Sequence, residues 1–420
     1  MEEHADVLVI GAGVVGVSAA WFLQQEGASV TLVDQGPVGA GSSYGNAGLV
    51  VPSHSVPLAH PGAVSLGLRW LLDADSPFYV RPRLSRDLIH WLWRFRRAAT
   101  AEHVRRATPL LCELHLASRR LFAALAQGGL NFGFAQRGGM LLYRGEAGRQ
   151  AVCHEAETMA AHGVCMEHLS ADQARQRHPG VELDVAGALY CAEDAHLDPA
   201  RFVQTLAHRA AEGGARIRTG TEVLGFDTAG DTITTVHTTR GRLCPREVVL
   251  AAGSWSQGLA RRLGLELPIQ PAKGYSVTVR APEHPPAFPV ILTEARVAVT
   301  PLGEALRFAG TLELAGMDMT VNQRRVAAIL RAVPEYLPSI RPHECELVEI
   351  WRGLRPCTPD GLPYLGRTGR WRNLTVAAGH AMIGVSLGPI TGLLTSQICA
   401  GRTPQIDVAA LDPERYHRRG

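Results

Sequence analysis

The amino-acid sequence predicts an α/β fold in which a Rossmann-like domain is joined to a second, strand-rich region. An apolar run over residues 7–10 leads into glycines at dinucleotide-binding spacing, and a second apolar run ends at Asp34. Residues 272–313 are dominated by strand-like patterning. Strand and helix patterns return together at residues 374–400, so the α/β part includes both ends of the chain.

The turn after the first predicted strand carries the nucleotide-binding signal. Gly11 permits a tight turn, and Gly13 lets the backbone approach a pyrophosphate. Gly16 lets the following helix pack closely against the sheet. An ordinary glycine-rich turn is the alternative, but a strand before it and a helix after it make that reading the weaker one.

The helix after this turn is predicted over residues 14–26. Val14 and Val15 stand at its N-terminus, where free backbone N–H groups favour phosphate. Asp34 closes the second strand, where a carboxylate accepts hydrogen bonds from ribose hydroxyls. These residues indicate a dinucleotide site and leave open whether the ligand is FAD or NAD.

A small and polar stretch follows at residues 39–48. Ser42 and Ser43 can donate hydrogen bonds to phosphate, and Asn46, followed by Ala47 and Gly48, can bond to a ring system. The same composition is typical of a flexible loop, which is the alternative.

The composition excludes several classes of protein. A length of 420 residues suffices for a large core and predicts two domains, and a net charge of +3 is too small for a general nucleic-acid binder. The eight cysteines form no Cys-x-x-Cys or zinc-like spacing, so we expect no metal site and a reducing compartment. A strand directly at the start and the absence of an 18-residue apolar run predict no signal peptide and no spanning helix, hence a cytoplasmic protein.

The other elements follow from periodicity and turn residues. Along the chain we predict an irregular connection over 50–65, helices within 66–127, a strand over 137–144, helices over 150–163, 171–177 and 199–213, antiparallel strands over 215–243, a buried strand over 247–255 and a helix over 321–333. Towards the C-terminus we predict a rigid loop over 351–363, a strand over 374–378 and a helix over about 386–400.

Together these motifs resemble the D-amino-acid oxidase superfamily of flavoenzymes. The resemblance covers nearly the whole chain in motif order and is carried by the glycines at 11–16, the loop 42–48, Glu222-Val223, residues 249–255, residues 353–356 and residues 379–384. Within it the chain is most similar to bacterial D-amino-acid dehydrogenases of the small-subunit type. That similarity is carried by residues 46–48, the insertion around 66–97, Gly310-Thr311-x-Glu313 and residues 354–361.

The resemblance implies a discontinuous architecture. A Rossmann-like FAD-binding domain is expected over 1–65, 146–254 and 346–420, and an α+β substrate domain with a large antiparallel sheet over 66–145 and 255–345. It implies further FAD-binding residues at Val223, Ala252, Gly253, Gly379, Gly384, Val385 and Ser386. Non-covalent FAD is expected, because Leu354-Arg355-Pro356 occupies the loop as in relatives without a cysteine tether, although Cys345 and Cys357 bracket it.

Two residues are predicted to act on the substrate. The resemblance implies that Arg355 holds an amino-acid carboxylate over the flavin, through paired hydrogen bonds from its guanidinium. Glycine oxidase has a second arginine in the region where this chain has Met382. Tyr275 can supply a hydroxyl instead, or it is a packing tyrosine on a strand. The helix starting near Ser386 is expected to stabilise negative charge on the flavin.

The resemblance implies FAD-dependent oxidative deamination of D-amino acids, with electrons passed to quinone or another acceptor than oxygen. Cyclic amines such as D-proline or 4-hydroxy-D-proline suit the same chemistry. Sarcosine oxidase has a lysine near the flavin where this chain has Arg307 or a neighbour, which indicates poor use of oxygen. The alternatives are a glycine- or sarcosine-type oxidase and a flavin-binding subunit of a larger dehydrogenase complex.

Residues 91–97 mix aromatic side chains with arginines on a predicted helix. Such a face either packs on its own domain or lies at a membrane interface. The resemblance makes peripheral contact with the inner face of the bacterial membrane plausible. The sequence leaves the oligomeric state open.

Overall fold

The computed structural model describes residues 2–70 and 76–417. Its helices are α1 (Val14–Gln25), α2 (Pro61–Trp70), α3 (Arg86–Ala98), α4 (Ala101–Gln127), α5 (Glu146–Ala160), α6 (Ala171–Arg177), α7 (Pro199–Glu212), α8 (Ser256–Arg262), α9 (Gln323–Tyr336) and α10 (Gly388–Cys399). None of the described helices is long and apolar enough to cross a membrane.

The strands lie between these helices, in several places as runs of consecutive strands. They are β1 (Glu2–Ile10), β2 (Val30–Val33), β3 (Leu49–Val50), β4 (Phe78–Val80), β5 (Gly139–Tyr143), β6 (Glu167–Ser170), β7 (Gly187–Cys191), β8 (Ala195–His196), β9 (Arg216–Arg218), β10 (Val223–Ala229), β11 (Thr232–Thr238), β12 (Gly241–Leu250), β13 (Gln270–Arg280), β14 (Val290–Leu292), β15 (Val297–Leu302), β16 (Ala305–Leu314), β17 (Leu347–Cys357), β18 (Tyr364–Arg367) and β19 (Leu374–Ala378).

The first sheet is the Rossmann-like one. Its strand order is β10-β11-β12-β1-β2-β9, and β19 also pairs with β12 in parallel. Helix α1 is apolar on all sides because it is buried between this sheet and its helical neighbours α7 and α10. Gly392 of α10 lies so close to α1 that a Cβ there would overlap the backbone of Ser18.

The second sheet is large and mainly antiparallel, with the order β17-β13-β16-β15-β14-β5-β7-β6 and with β4 beside β16. One face is apolar and packs under α9. The opposite face carries small residues on β13 and β17, among them Ala272, Gly274 and Gly353, and it faces the first sheet. The predicted α/β fold with a Rossmann-like domain and a second antiparallel domain is confirmed.

The sheets divide the chain differently from the predicted domains. Strands β6, β7 and β17 fall within predicted FAD-binding segments but belong to the second sheet, and α4 and α8 pack with the cores of the first sheet. Strand patterning alone does not say which sheet a strand joins, because pairing partners lie far away in sequence.

Several predicted elements need correction. Residues 351–357, predicted as part of a rigid loop, form the end of β17, where Pro356 lies opposite Pro271 and neither needs to donate. The helical stretch 66–127 is interrupted by β4, and its residues 71–75 lie outside the described residues. The predictions for 171–177 and 374–378 match α6 and β19.

Candidate functional site

A cavity of about 330 Å³ lies at the carboxyl ends of β1, β2, β12 and β19, between the two sheets. This is the edge at which open parallel sheets bind ligands. Most of the predicted cofactor residues line it: Gly11, Gly13, Val14, Val15, Asp34, Ser42, Ser43, Asn46, Val223, Ala252, Gly253, Gly379, Gly384 and Val385, together with Arg355. Gly16, Ala47, Gly48, Ser386 and Tyr275 do not line it.

The glycine turn has the geometry that the sequence predicts. Gly11 has a φ of +110°, and a Cβ there would collide with the carbonyl of Ala251, the residue that follows β12. A Cβ on Gly16 would overlap the carbonyl of Gly11. Gly16 therefore lets α1 pack closely against the end of β1, and it does not line the cavity.

The N-terminus of α1 opens towards the cavity. Its N-cap, Gly13, has no side chain to satisfy the first N–H groups. The N–H of Val14 donates to Oγ of Ser43 at 3.0 Å, which leaves the hydroxyl proton of Ser43 free to donate to a ligand. A pyrophosphate fits this cradle.

Asp34 is held rigidly at the end of β2. The N–H of Ala12 donates to its Oδ2 at 2.7 Å, and the N–H of Gly36 donates to its Oδ1 at 2.8 Å. Burial raises the pKa of Asp34, and the two N–H bonds oppose that effect. The carboxylate retains lone pairs for the ribose hydroxyls of a nucleotide.

The loop 42–48 is fixed by the second sheet. Arg307, on β16 and buried, donates to the carbonyls of Tyr44 at 3.3 Å and Asn46 at 2.9 Å. Asn46 turns its own Oδ1 to the N–H of Gly48, which has a φ of +75°. Gly48 is required for the shape of the loop, because a Cβ there would overlap the carbonyl of Leu197.

The turn 379–386 closes the other side of the cavity. Its N–H at Ala381 donates to the carbonyl of Pro356 at 3.0 Å, which ties the turn to β17. Ser386, predicted to bind FAD, is not among the residues that line the cavity. Its Oγ accepts from the N–H of Val51 at 3.2 Å and lies 2.8 Å from Nδ1 of His115.

His380 lines the cavity as an uncharged group. Its Nε2 lies 3.0 Å from the hydroxyl of Thr391, and burial lowers its pKa to about 4. His54 lies outside the cavity lining and is 2.8 Å from Oγ of Ser53, which donates to Asp194.

Arg355 is the cation that β17 brings to the cavity. Its guanidinium lies flat over Gly274, where a Cβ would overlap it, and donates to the carbonyls of Thr311 and Gly310. Among the described residues no carboxylate pairs with it. Thr311 itself has a φ of +67°, a rare conformation for a β-branched residue that costs about 1–3 kcal/mol. The strained carbonyl is thereby aimed at Arg355.

The structure does not bring Tyr275 to the cavity. It follows Gly274 along β13 and therefore points to the opposite face of the sheet. Its hydroxyl donates to Oε2 of Glu313 at 2.8 Å, close to the buried Lys273, the only lysine of the chain. This position contradicts the predicted catalytic role of Tyr275 and supports the packing alternative.

Sequence reasoning missed part of the lining. Thr221, Trp255, Leu259 and Arg262 border the cavity near Asp34 and Val223. Only their closeness to two predicted motifs could have indicated them. The sequence indicated Arg307 only through the resemblance to sarcosine oxidase. Its hydrogen bonds to the carbonyls of the loop 42–48 are visible only in the structure.

The described residues contain no cluster of three or more histidine, cysteine, aspartate or glutamate side chains suited to a metal ion. None of the cysteines lines the cavity. Cys357 comes nearest in sequence to Arg355, but it is buried, and burial raises its pKa to about 12.

Comparisons with known proteins agree with this geometry. A family model described as "DAO: FAD dependent oxidoreductase" matches residues 6–398. The D-amino acid dehydrogenases of Cereibacter sphaeroides (strain ATCC 17029 / ATH 2.4.9) and Granulibacter bethesdensis are 35% and 34% identical, each over 98% of this chain, covering 95% and 99% of the relatives. The crystal structure of glycine oxidase from Geobacillus kaustophilus superposes with a TM-score of 0.81 at 26% identity and covers 98% of this chain and 99% of that one. The predicted resemblance is confirmed, and the chain belongs to the family of FAD-dependent oxidoreductases.

Proposed function

We propose that this enzyme oxidises D-amino acids to imino acids, which water then hydrolyses, and that it passes the electrons to quinone or a similar acceptor. The observation that carries the proposal is Arg355. A partly buried guanidinium with no carboxylate partner among the described residues lies at the cavity and is matched to a carboxylate ligand.

The cradle of Gly11, Gly13 and Asp34 fits the nucleotide half of FAD. The turn 379–385 would border the other half. When bound, FAD supplies the acceptor for the hydride from the substrate α-carbon. The chain supplies binding and orientation: Arg355 holds the carboxylate, and the carbonyls of Thr311 and Gly310 hold Arg355. Because its pKa is about 4, His380 is neutral at pH 7 and adds no charge there.

The relatives named D-amino acid dehydrogenase support the choice of the D-enantiomer and of an acceptor other than oxygen. With the carboxylate fixed on Arg355, only one enantiomer aims its α-hydrogen at the flavin while its side chain finds space. We expect strong preference for D- over L-amino acids and faster turnover with a quinone or dye than with oxygen. A panel of both enantiomers, assayed with a dye and with an oxygen electrode, measures both preferences. Comparable turnover of an L-amino acid would contradict the first, and rapid peroxide formation would favour the oxidase alternative.

The alternative to a self-sufficient enzyme is a flavin-binding subunit of a larger dehydrogenase complex that has no activity of its own. The complete site around Arg355 and the turn 379–385 speaks against it. One purified yellow polypeptide that turns over a D-amino acid by itself excludes that alternative.

We further propose that FAD is bound without a covalent link. The described cysteines avoid the cavity, and Nε2 of His380 is engaged with Thr391. Acid precipitation of the purified enzyme is expected to release the yellow colour into the supernatant, as measured by absorbance. Colour that stays in the pellet after washing would show a covalent bond.

We also propose peripheral contact with an anionic membrane through α3. Trp91 points inward and donates to the carbonyl of Cys357 at 2.9 Å, whereas Ile89 and Trp93 are 59% and 54% exposed. Arg97 lies 4.7 Å from the ring of Trp93, so apolar and cationic groups share one surface. The enzyme is expected to float with vesicles of anionic lipid at low salt but not with zwitterionic ones. Equal recovery of wild type and an Ile89→Ser/Trp93→Ser variant with the anionic vesicles would contradict this contact.

A further inference from the structure

We propose that Trp351 is the side wall of the substrate site and sets the size of the amino-acid side chain that the enzyme accepts. This inference rests on the proposed function, because it takes Arg355 as the anchor of the substrate carboxylate. Trp351 lies on β17, four residues before Arg355 and on the same face of the second sheet.

Glycines make room for the indole. A Cβ on Gly353 would overlap Cη2 and Cζ2 of Trp351, and a Cβ on Gly45 would overlap the other end of the same ring system. The indole therefore lies flat along β17, between Gly353 of the sheet and Gly45 of the loop 42–48. Any side chain at either glycine would force the ring to move.

The benzo edge of Trp351 lies beside the guanidinium of Arg355. The guanidinium occupies the Cβ position of Gly274, and the indole occupies that of Gly353. Gly274 and Gly353 are direct partners in the antiparallel pair of β13 and β17. Cβ positions of such partners are about 5 Å apart, so the two planar groups are neighbours on the sheet.

The wall extends from the carboxylate anchor to the cofactor loop. Ser43 and Asn46, on either side of Gly45, both line the cavity. Trp351 is not itself among the residues that line the cavity, so the wall lies at the margin of the cavity, where a substrate held by Arg355 would extend towards the indole. Removing the indole would open space in this direction without removing the anchor.

The surroundings select uncharged side chains. Near Arg355 the cavity is lined by Pro356, Ala381 and the neutral His380. The other charged lining residues are Asp34, Glu222 and Arg262, and they belong to the distant nucleotide end. There the backbone carbonyl of Asp34 accepts from the N–H of Thr221, and Arg262 donates to the carbonyl of Leu224. The substrate class that fits is an amino acid with a compact apolar side chain, including cyclic amines.

The test compares the wild type with Trp351→Leu and Trp351→Phe, using Val348→Ala, at an exposed residue of the same strand, as the control. The kcat/KM values are measured for D-alanine, D-valine, D-proline and D-phenylalanine, and the FAD content is measured by absorbance. For Trp351→Leu we expect the ratio of D-phenylalanine to D-alanine to rise at least tenfold with FAD retained. Val348→Ala should leave the ratio unchanged.

A uniform loss for all substrates, an unchanged ratio, or loss of FAD from both Trp351 variants would overturn the assignment, because Trp351 would then only support the loop. If the wild type turns over no D-amino acid, the proposed function fails separately. In that case the role of Trp351 is tested by measuring the dissociation constants of acetate and benzoate from the change in flavin absorbance. An unchanged ratio of the two dissociation constants in Trp351→Leu refutes it.

Discussion

Replacing Arg355 by leucine is expected to lower kcat/KM for the best D-amino acid by about a hundredfold or more, mainly through KM. Losing a charge-assisted, paired carboxylate contact costs about 3 kcal/mol of transition-state binding. The FAD content should stay near normal, because Arg355 is separate from the glycine turn and from Asp34. Steady-state kinetics and the ratio of flavin to protein absorbance measure the two effects.

Arg352→Leu is the matched control. Arg352 lies on the same strand but on the other face, where its Nε donates to the carbonyl of Met319 at 2.9 Å. Its replacement should change kcat/KM less than threefold, and Arg355→Lys should recover part of the loss. Near-wild-type kinetics of Arg355→Leu would remove Arg355 from the site.

The free energy of unfolding is expected to fall steeply between pH 6.5 and about 4. Burial lowers the pKa of His115 to about 3 and the pKa values of His178, His196 and His380 to about 4. Below pH 6.5 these histidines are protonated in the unfolded chain but remain neutral in the native protein. The free energy of unfolding therefore falls as the pH falls.

Asp194 acts in the opposite direction. Burial raises its pKa to about 6, so the native protein binds a proton that the unfolded chain takes up only near pH 3.8. Near pH 5 the unfolded chain binds about three more protons than the native protein, because the four histidines outweigh Asp194. The free energy of unfolding therefore changes by about 4 kcal/mol per pH unit. Urea unfolding at pH 7, 6 and 5 measures the slope.

His178→Asn is the variant that checks this account. Asparagine retains an acceptor for the N–H of Ala287, which donates to Nδ1 of His178 at 3.1 Å, but it does not titrate. The slope should fall by about one proton, or about 1.4 kcal/mol per pH unit. A wild-type stability that stays level from pH 7 to pH 5 would refute the prediction.

The nucleotide end of the site was predictable because its determinants are local. A strand, three glycines and a helix start follow one another within residues 7–16, and a Cβ on Gly16 would overlap the carbonyl of Gly11 in the same turn. Asp34 could be predicted from its position at the end of the second strand alone.

The substrate end depended on pairing between distant strands, which the sequence does not display. Tyr275 was predicted to supply a hydroxyl in place of the second arginine of glycine oxidase, but strand alternation places it on the far face of the sheet. Arg355 and Gly274 meet only through the register of β13 and β17. The pattern of Pro356 and Pro359 suggested a loop, whereas β17 runs through Cys357 before the turn begins.

Strand β16 has a consequence for how the two ligands influence each other. At one point Arg307 holds the loop 42–48, and a few residues later Gly310 and Thr311 hold Arg355. The binding of cofactor and the binding of substrate therefore both depend on β16. Any coupling free energy between the two binding equilibria is the same in both directions. A carboxylate that steadies Arg355 should tighten the equilibrium binding of FAD by the same factor by which bound FAD tightens the binding of that carboxylate.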